Sequence, residues 1–245
     1  MMRVVEKLIR RQRHTGATPP VVIACLGDSV THGSFDVFIN RFGHLDAVFD
    51  PDNAYASRLQ RRLNAYYPAA AVSVINAGVG GDNAPGGLAR LERDVLHFRP
   101  DLVIVNFALN DAMGGLDKLN AYAQAMEAIM RRVADSGAEC MLLTPNRMCT
   151  YVSHNIHDDI IRRIASAAAE VQIKGVLDAY VNAARSIADQ NRVPVADAYA
   201  AWNRLEDNGI DTTAMLANHI NHPVPDMHRL FVDAIESRLL ESAPT

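Results

Sequence analysis

Four short blocks carry the side chains in this sequence that could do chemistry together. The first is Gly27-Asp28-Ser29, at the end of the apolar run Val21 to Leu26. A serine hydroxyl is a weak nucleophile until a base takes its proton. The last block, His222-Pro223, supplies an imidazole that can act as that base and then as the acid toward a leaving group. Between them, Asn76 to Asn83 is rich in glycine, whose small size lets backbone N–H groups come close to an anion. Ala108-Leu109-Asn110-Asp111 adds, in Asn110, an amide that can donate to an oxyanion. Each block alone has a plainer reading, because Gly-Asp-Ser is ordinary turn chemistry and glycines mark strand-to-helix turns. Their coincidence points to acyl transfer through a serine.

Such residues need a scaffold that brings them to one place. Short apolar segments with strand character occur at Val21–Gly27, Val72–Asn76, Leu102–Phe107, Cys140–Thr144 and Val193–Asp197. Helical patterns lie between them at Tyr55–Tyr66, Gly87–His97, Leu116–Ser136 and Asp158–Gln190, the last broken near Gly175. Met227–Leu240 closes the chain as a helix. Arg3 to Arg13, with Val4, Val5, Leu8 and Ile9 interleaved among the basic residues, reads as an amphipathic helix. Strand–helix alternation predicts an α/β fold, a parallel sheet with helices on both faces and right-handed crossovers. Open sheets of this kind bind ligands at the carboxyl ends of their strands, where the first three blocks fall. We expect one domain over residues 1–245, with residues 1–20 as an N-terminal helical extension. The mixed segment Ser34–Asp52 reads either as a pocket-shaping connection or as a plain loop with a short helix.

With these blocks in place the chain resembles the GDSL family of SGNH hydrolases, which are serine esterases and lipases. The resemblance runs from about Val21 to Leu240. It implies a three-layer α/β/α flavodoxin-like fold with a five-stranded parallel sheet of order 2-1-3-4-5. It implies Ser29 as nucleophile and His222 as base, with Ser29 N–H, Gly81 N–H and the Asn110 side chain as oxyanion donors. The third block departs from the family's G-x-N-D, because Ala108 replaces the glycine. Met227-His228-Arg229-Leu230 fits the start of the family's last helix.

The larger departure is in the last block. The family's D-x-x-H-P has His219 where the aspartate belongs. A histidine cannot balance an imidazolium as a carboxylate does. The residues therefore leave two readings: a Ser29–His222 dyad with His222 oriented by a backbone carbonyl or water, or a substitute acid. Asp211, Asp226 and Asp111 are the candidates, and Asp28, Asp111 and His219 are the supporting residues of the site.

Other plans fit less well. The nucleophile elbow G-x-S-x-G needs a glycine where Thr31 stands. A dinucleotide fingerprint counted from Gly78 needs its third glycine at Asn83. His154, His157, Asp158 and Asp159, and separately His219, His222 and His228, suggest metal binding, but no H-E-x-x-H pattern accompanies them. We therefore expect no cofactor and no metal. The 245 residues are 49% hydrophobic with net charge −4, which gives no electrostatic case for nucleic acid or an anionic membrane. No secretion signal or spanning run is visible, and the three cysteines, Cys25, Cys140 and Cys149, form no disulfide framework. We read a cytoplasmic protein acting on a small-molecule ester, with a short acyl group such as acetyl as first expectation. A lysophospholipase or thioesterase, and a non-catalytic ligand-binding relative, are the alternatives. Trp202 is the only indole, so no aromatic sugar platform is evident. Oligomeric state is not legible.

Overall fold

The computed structural model describes residues 1–241. Five parallel strands form the sheet: β1 (Val22–Gly27), β4 (Ser73–Gly78), β5 (Leu102–Asn106), β6 (Glu139–Leu143) and β7 (Val195–Ala196). Their order is β4-β1-β5-β6-β7, the 2-1-3-4-5 order expected. The strands β1, β5 and β6 are buried almost throughout, which is why they read as unbroken apolar runs rather than alternating ones. In register, Gly27 lies beside Gly78 on one side and Asn106 on the other. The carboxyl ends of β4, β1 and β5 therefore bring the first three sequence blocks side by side.

Helices cover both faces: α1 (Arg3–Arg13), α3 (Tyr55–Tyr66), α4 (Ala84–Asp94), α6 (Leu119–Asp135), α7 (Asp159–Ile173), α8 (Val176–Gln190), α9 (Ala198–Asp207) and α10 (Arg229–Leu240). Two single-turn helices, α2 (Ser29–His32) and α5 (Leu109–Ala112), sit directly at strand ends. Asp158 caps α7 by accepting from the N–H groups of Ile160 and Ile161. Gly175, at φ +70°, separates α7 from α8. Helix α1 buries Val4, Val5 and Leu8 in the core. Glu139 at the start of β6 accepts from its first N–H groups, and Lys7 pairs with Asp101 at 2.7 Å. No helix among the described residues is long and apolar enough to cross a membrane.

Two features differ from the sequence reading. Ser34–Asp52 is neither a plain loop nor a helix. It is an antiparallel hairpin of β2 (Ser34–Ile39) and β3 (Leu45–Phe49) that stands apart from the main sheet. Its loop is built on Asn40, whose carboxamide oxygen accepts from Phe42 and His44 N–H, and on Gly43 at φ +79°. A longer loop of this kind lacks the two-residue Asn-Gly signal that announces a hairpin. Helix α9 was not anticipated, although Asp197 caps it through Ala200 N–H. It buries Trp202 fully in the core.

Candidate active site

Gly27 ends β1, Asp28 caps α2, and Ser29 is the first residue of that helix. Asp28 Oδ1 accepts from Val30 N–H at 3.0 Å, which turns the chain sharply and leaves Ser29 at the helix N-terminus. This helix lies so close over β4 that a Cβ on Gly78 would stand 2.1 Å from the backbone nitrogen of His32. Glycine is therefore obligatory there. Ser29 is 6% exposed and His222 5%, so their hydroxyl and ring are nearly enclosed.

His222 Nε2 lies 2.9 Å from Ser29 Oγ across a separation of 193 residues. The imidazole is held by a tight loop. Asn218 Oδ1 accepts from His222 N–H at 2.9 Å, Ala217 N–H donates to the His222 carbonyl, and Asn146 Nδ2 donates to the Asn221 carbonyl. Burial pulls the His222 pKa down to about 4, so the ring is a neutral, proton-accepting base at neutral pH. Its other nitrogen, Nδ1, lies 3.3 Å from Ser34 Oγ on β2.

Gly81 occupies the third position of a turn closed by Asp82 N–H to the Val79 carbonyl, at φ +76°, a conformation that favours glycine. Asn110, on α5, donates through Nδ2 to the Asp82 carbonyl at 2.7 Å. An amide has two N–H donors, so one stays available. Ser29, Gly81, Asn110 and His222 all line one cavity of about 360 Å³. Its remaining wall is largely apolar, with Val37, Leu45, Ala47 and Phe49 from the hairpin and Ile164 and Ile220 opposite. A larger groove of about 680 Å³, between Arg185 and Glu241, is lined mostly by charged residues and brings no serine–histidine pair together.

None of the supporting residues hydrogen-bonds the His222 ring. Asp111 accepts from Ala84 N–H at the start of α4 and hydrogen-bonds neither Ser29 nor His222. Asp28 and Asp111 are buried, each with one oxygen lacking any partner. Burial, partly offset by their N–H donors, raises Asp28 to about 7 and Asp111 to about 6. His219 adopts φ +54° and its Nε2 meets Asn155 at 3.3 Å, so it does not replace the expected aspartate at His222. Asp211 accepts from Tyr151 Oη and from Ala214 N–H, and Asp226 is exposed. Among the described residues no carboxylate hydrogen-bonds either ring nitrogen of His222.

The sequence concealed one further residue of this region. Arg90 on α4 is 9% exposed and donates to the Gly27 carbonyl, the Ala77 carbonyl and the Asp82 carboxylate, at 2.8, 2.7 and 2.6 Å. It ties the ends of β1 and β4 to the turn that carries Gly81. Its only signal is an arginine on the helix stripe that also carries Gly87 and Leu91. Ala108 shows the cost of losing the glycine of the third block, since it is held at φ +141°. The histidine clusters are dispersed. His228 Nδ1 accepts from Tyr55 N–H at the start of α3, and no three His, Cys, Asp or Glu side chains among the described residues converge as a metal site. All three cysteines are buried, and burial raises their thiols, Cys149 to about 11 and the other two to about 12.

Comparison with known proteins bears on the family and the fold. The model of the GDSL-like lipase/acylhydrolase family matches residues 25–230. An acetylxylan esterase of Geobacillus stearothermophilus is 23% identical over 160 residues, 62% of this chain and 65% of that protein, so the chain spans just under two thirds of that relative. Among solved structures, an acetyl xylan esterase superposes with a TM-score of 0.66 at 19% identity, covering 89% of this chain and 98% of that one. A lipase/acylhydrolase from Enterococcus faecalis gives 0.64 at 22% identity, covering 89% and 95%. At these identities the structures speak for the fold alone.

Proposed function

The chain belongs to the GDSL-like lipase/acylhydrolase family, and we propose that it is a serine esterase that cleaves carboxylic esters through an acyl-enzyme. The observation that carries this reading is the 2.9 Å contact between Ser29 Oγ and His222 Nε2 inside the cavity that Gly81 and Asn110 also line. As Ser29 Oγ bonds to the acyl carbon, the carbonyl electron pair moves to oxygen and the serine proton moves to His222 Nε2. The N–H groups of Ser29 and Gly81 and the Asn110 amide receive the oxyanion. His222 then protonates the departing alcohol, and the same steps with water release the acid. With its pKa pulled down to about 4 by burial, the free ring is already deprotonated at neutral pH and open to the serine proton. The chemistry uses protein groups alone.

A small acyl group, acetyl above all, is the substrate class this reading favours. The cavity is modest and apolar beside Ser29, and the Geobacillus relative is named for an acetyl ester. The test is hydrolysis of p-nitrophenyl esters of rising chain length by wild type and Ser29→Ala, with and without chelator. The reading expects activity that prefers acetate, disappears with Ser29 and ignores chelator. Activity surviving in Ser29→Ala would reject the mechanism, and a preference for long chains would reject the acetyl assignment.

A further inference from the structure

We infer that Ser34 is the positioning residue that stands in for the missing aspartate, its hydroxyl accepting the Nδ1–H of His222 when the imidazole carries the proton of Ser29. The inference rests on the proposed serine mechanism and deepens it. Once protonated, the ring donates from both nitrogens. Nε2 faces Ser29, and the side chain facing Nδ1 is Ser34, at 3.3 Å and 1% exposed. The acids that sequence proximity offered are held elsewhere: Asp211 by Tyr151, Asp111 by Ala84 N–H. Ser34 is as firmly placed as its partner. It opens β2 opposite Phe49, and Asp50 N–H donates to the Gly33 carbonyl beside it at 2.8 Å. The hairpin thus both walls the cavity and delivers the hydroxyl.

A hydroxyl does part of what a carboxylate does. It accepts the Nδ1–H and fixes the plane of the ring, but it brings no charge to balance the imidazolium. It can also donate to Nδ1, which parks the ring proton on Nε2 and takes the base out of action; a carboxylate cannot. The dependence on Ser34 should therefore be that of one hydrogen bond to an uncharged acceptor, about tenfold in rate, against about 10⁴ where a triad carboxylate is neutralised.

The experiment measures kcat and KM for p-nitrophenyl acetate across acid to alkaline pH in wild type, Ser34→Ala, Ser34→Thr and Ser34→Asp. Labelling of Ser29 by a fluorophosphonate serves as the control for the underlying mechanism. We expect Ser34→Ala to lose about tenfold in kcat with little change in KM, and Ser34→Thr to recover most of it. Ser34→Asp should move the acid limb of kcat/KM upward by about one unit or more, since a carboxylate beside Nδ1 favours the imidazolium. That shift reports that residue 34 faces Nδ1, whereas a loss in kcat at unchanged KM with recovery in Ser34→Thr is what a purely structural serine would not give. Wild-type kcat in Ser34→Ala, or an unmoved limb in Ser34→Asp, overturns the inference. Should the larger side chains fail to fold at this buried position, the imidazole ¹⁵N shifts of His222 in wild type and Ser34→Ala decide. Identical tautomer populations and pKa in the two proteins overturn it. If Ser29 resists the fluorophosphonate while the ¹⁵N signals respond to Ser34, the esterase reading fails and the Ser34–His222 pairing stands.

Discussion

Replacing Arg90 with methionine should separate the architecture of the candidate oxyanion region from the chemistry of Ser29. The methionine keeps much of the aliphatic stem and removes the guanidinium. Four acceptors lose a donor: the Gly27 carbonyl, the Ala77 carbonyl, the Asp82 carboxylate and, at 3.4 Å, the Asp94 carboxylate. The Arg90 and Asp82 side chains are only 10% and 13% exposed, so water replaces the lost contacts poorly. Removing one partner of a buried pair costs about 3–5 kcal/mol. The two carbonyls would add more, but relief of the guanidinium's own desolvation acts against them, so the total stays about 3–5 kcal/mol. In a protein of this size each kcal/mol shifts the melting midpoint by about 2–4 °C, which gives a drop of about 6–20 °C. The assay is thermal unfolding followed by circular dichroism, paired with kcat well below the transition. We expect kcat to fall while KM holds, because the turn carrying Gly81 loses its tie to β1. Arg90→Lys should recover little, since a single nitrogen on a shorter stem cannot span the acceptors that three separate guanidinium nitrogens now reach. A loss below about 1 kcal/mol would refute the buried-network argument, and an unchanged kcat in a destabilised protein would refute the positioning argument.

Three further outcomes follow from the same geometry. Asn110→Ala should lower kcat by about 10²–10³ with a smaller change in KM, measured on p-nitrophenyl acetate. Ala108→Gly should be neutral or stabilising by about 1 kcal/mol in urea unfolding, because relief of strain at φ +141° offsets the usual cost of glycine. A loss of about 1 kcal/mol there would show that the alanine is unstrained. Asp28→Asn probes linkage. Burial raises the folded pKa of Asp28 to about 7, above its unfolded value, so the wild-type contribution is full at low pH and is lost as pH rises through about 7. The stability of Asp28→Asn relative to wild type should therefore increase between about pH 4 and pH 8. A pH-independent difference would contradict the buried, desolvated carboxyl.

Much of this molecule was legible because its information is local. The buried strands announce themselves as apolar runs, and Tyr55–Tyr66 was bounded correctly by its apolar spacing. The sheet order came from family resemblance, since nothing in strand spacing encodes it. The hairpin was hidden because its loop is held by the Asn40 side chain rather than by a two-residue turn signal. The Ser34–His222 contact spans 188 residues and leaves no trace in either neighbourhood. Arg90 was missed for a related reason, because a charged residue on an apolar stripe means something only once the carbonyls above it are known. His219 shows the converse. Sequence alone reveals that the aspartate is absent, but only the fold shows that the ring turns toward Asn155.

The most direct test of the account is to look for the acyl group itself. Wild type and Ser29→Ala would be mixed with p-nitrophenyl acetate, quenched in acid within the first turnovers, digested and mapped by mass spectrometry. The account predicts an acetyl group on Ser29 in wild type, formed with a burst of nitrophenol, and none on the peptide spanning residue 29 in Ser29→Ala. Steady hydrolysis without acetyl on Ser29, or a burst that persists in Ser29→Ala, would contradict it.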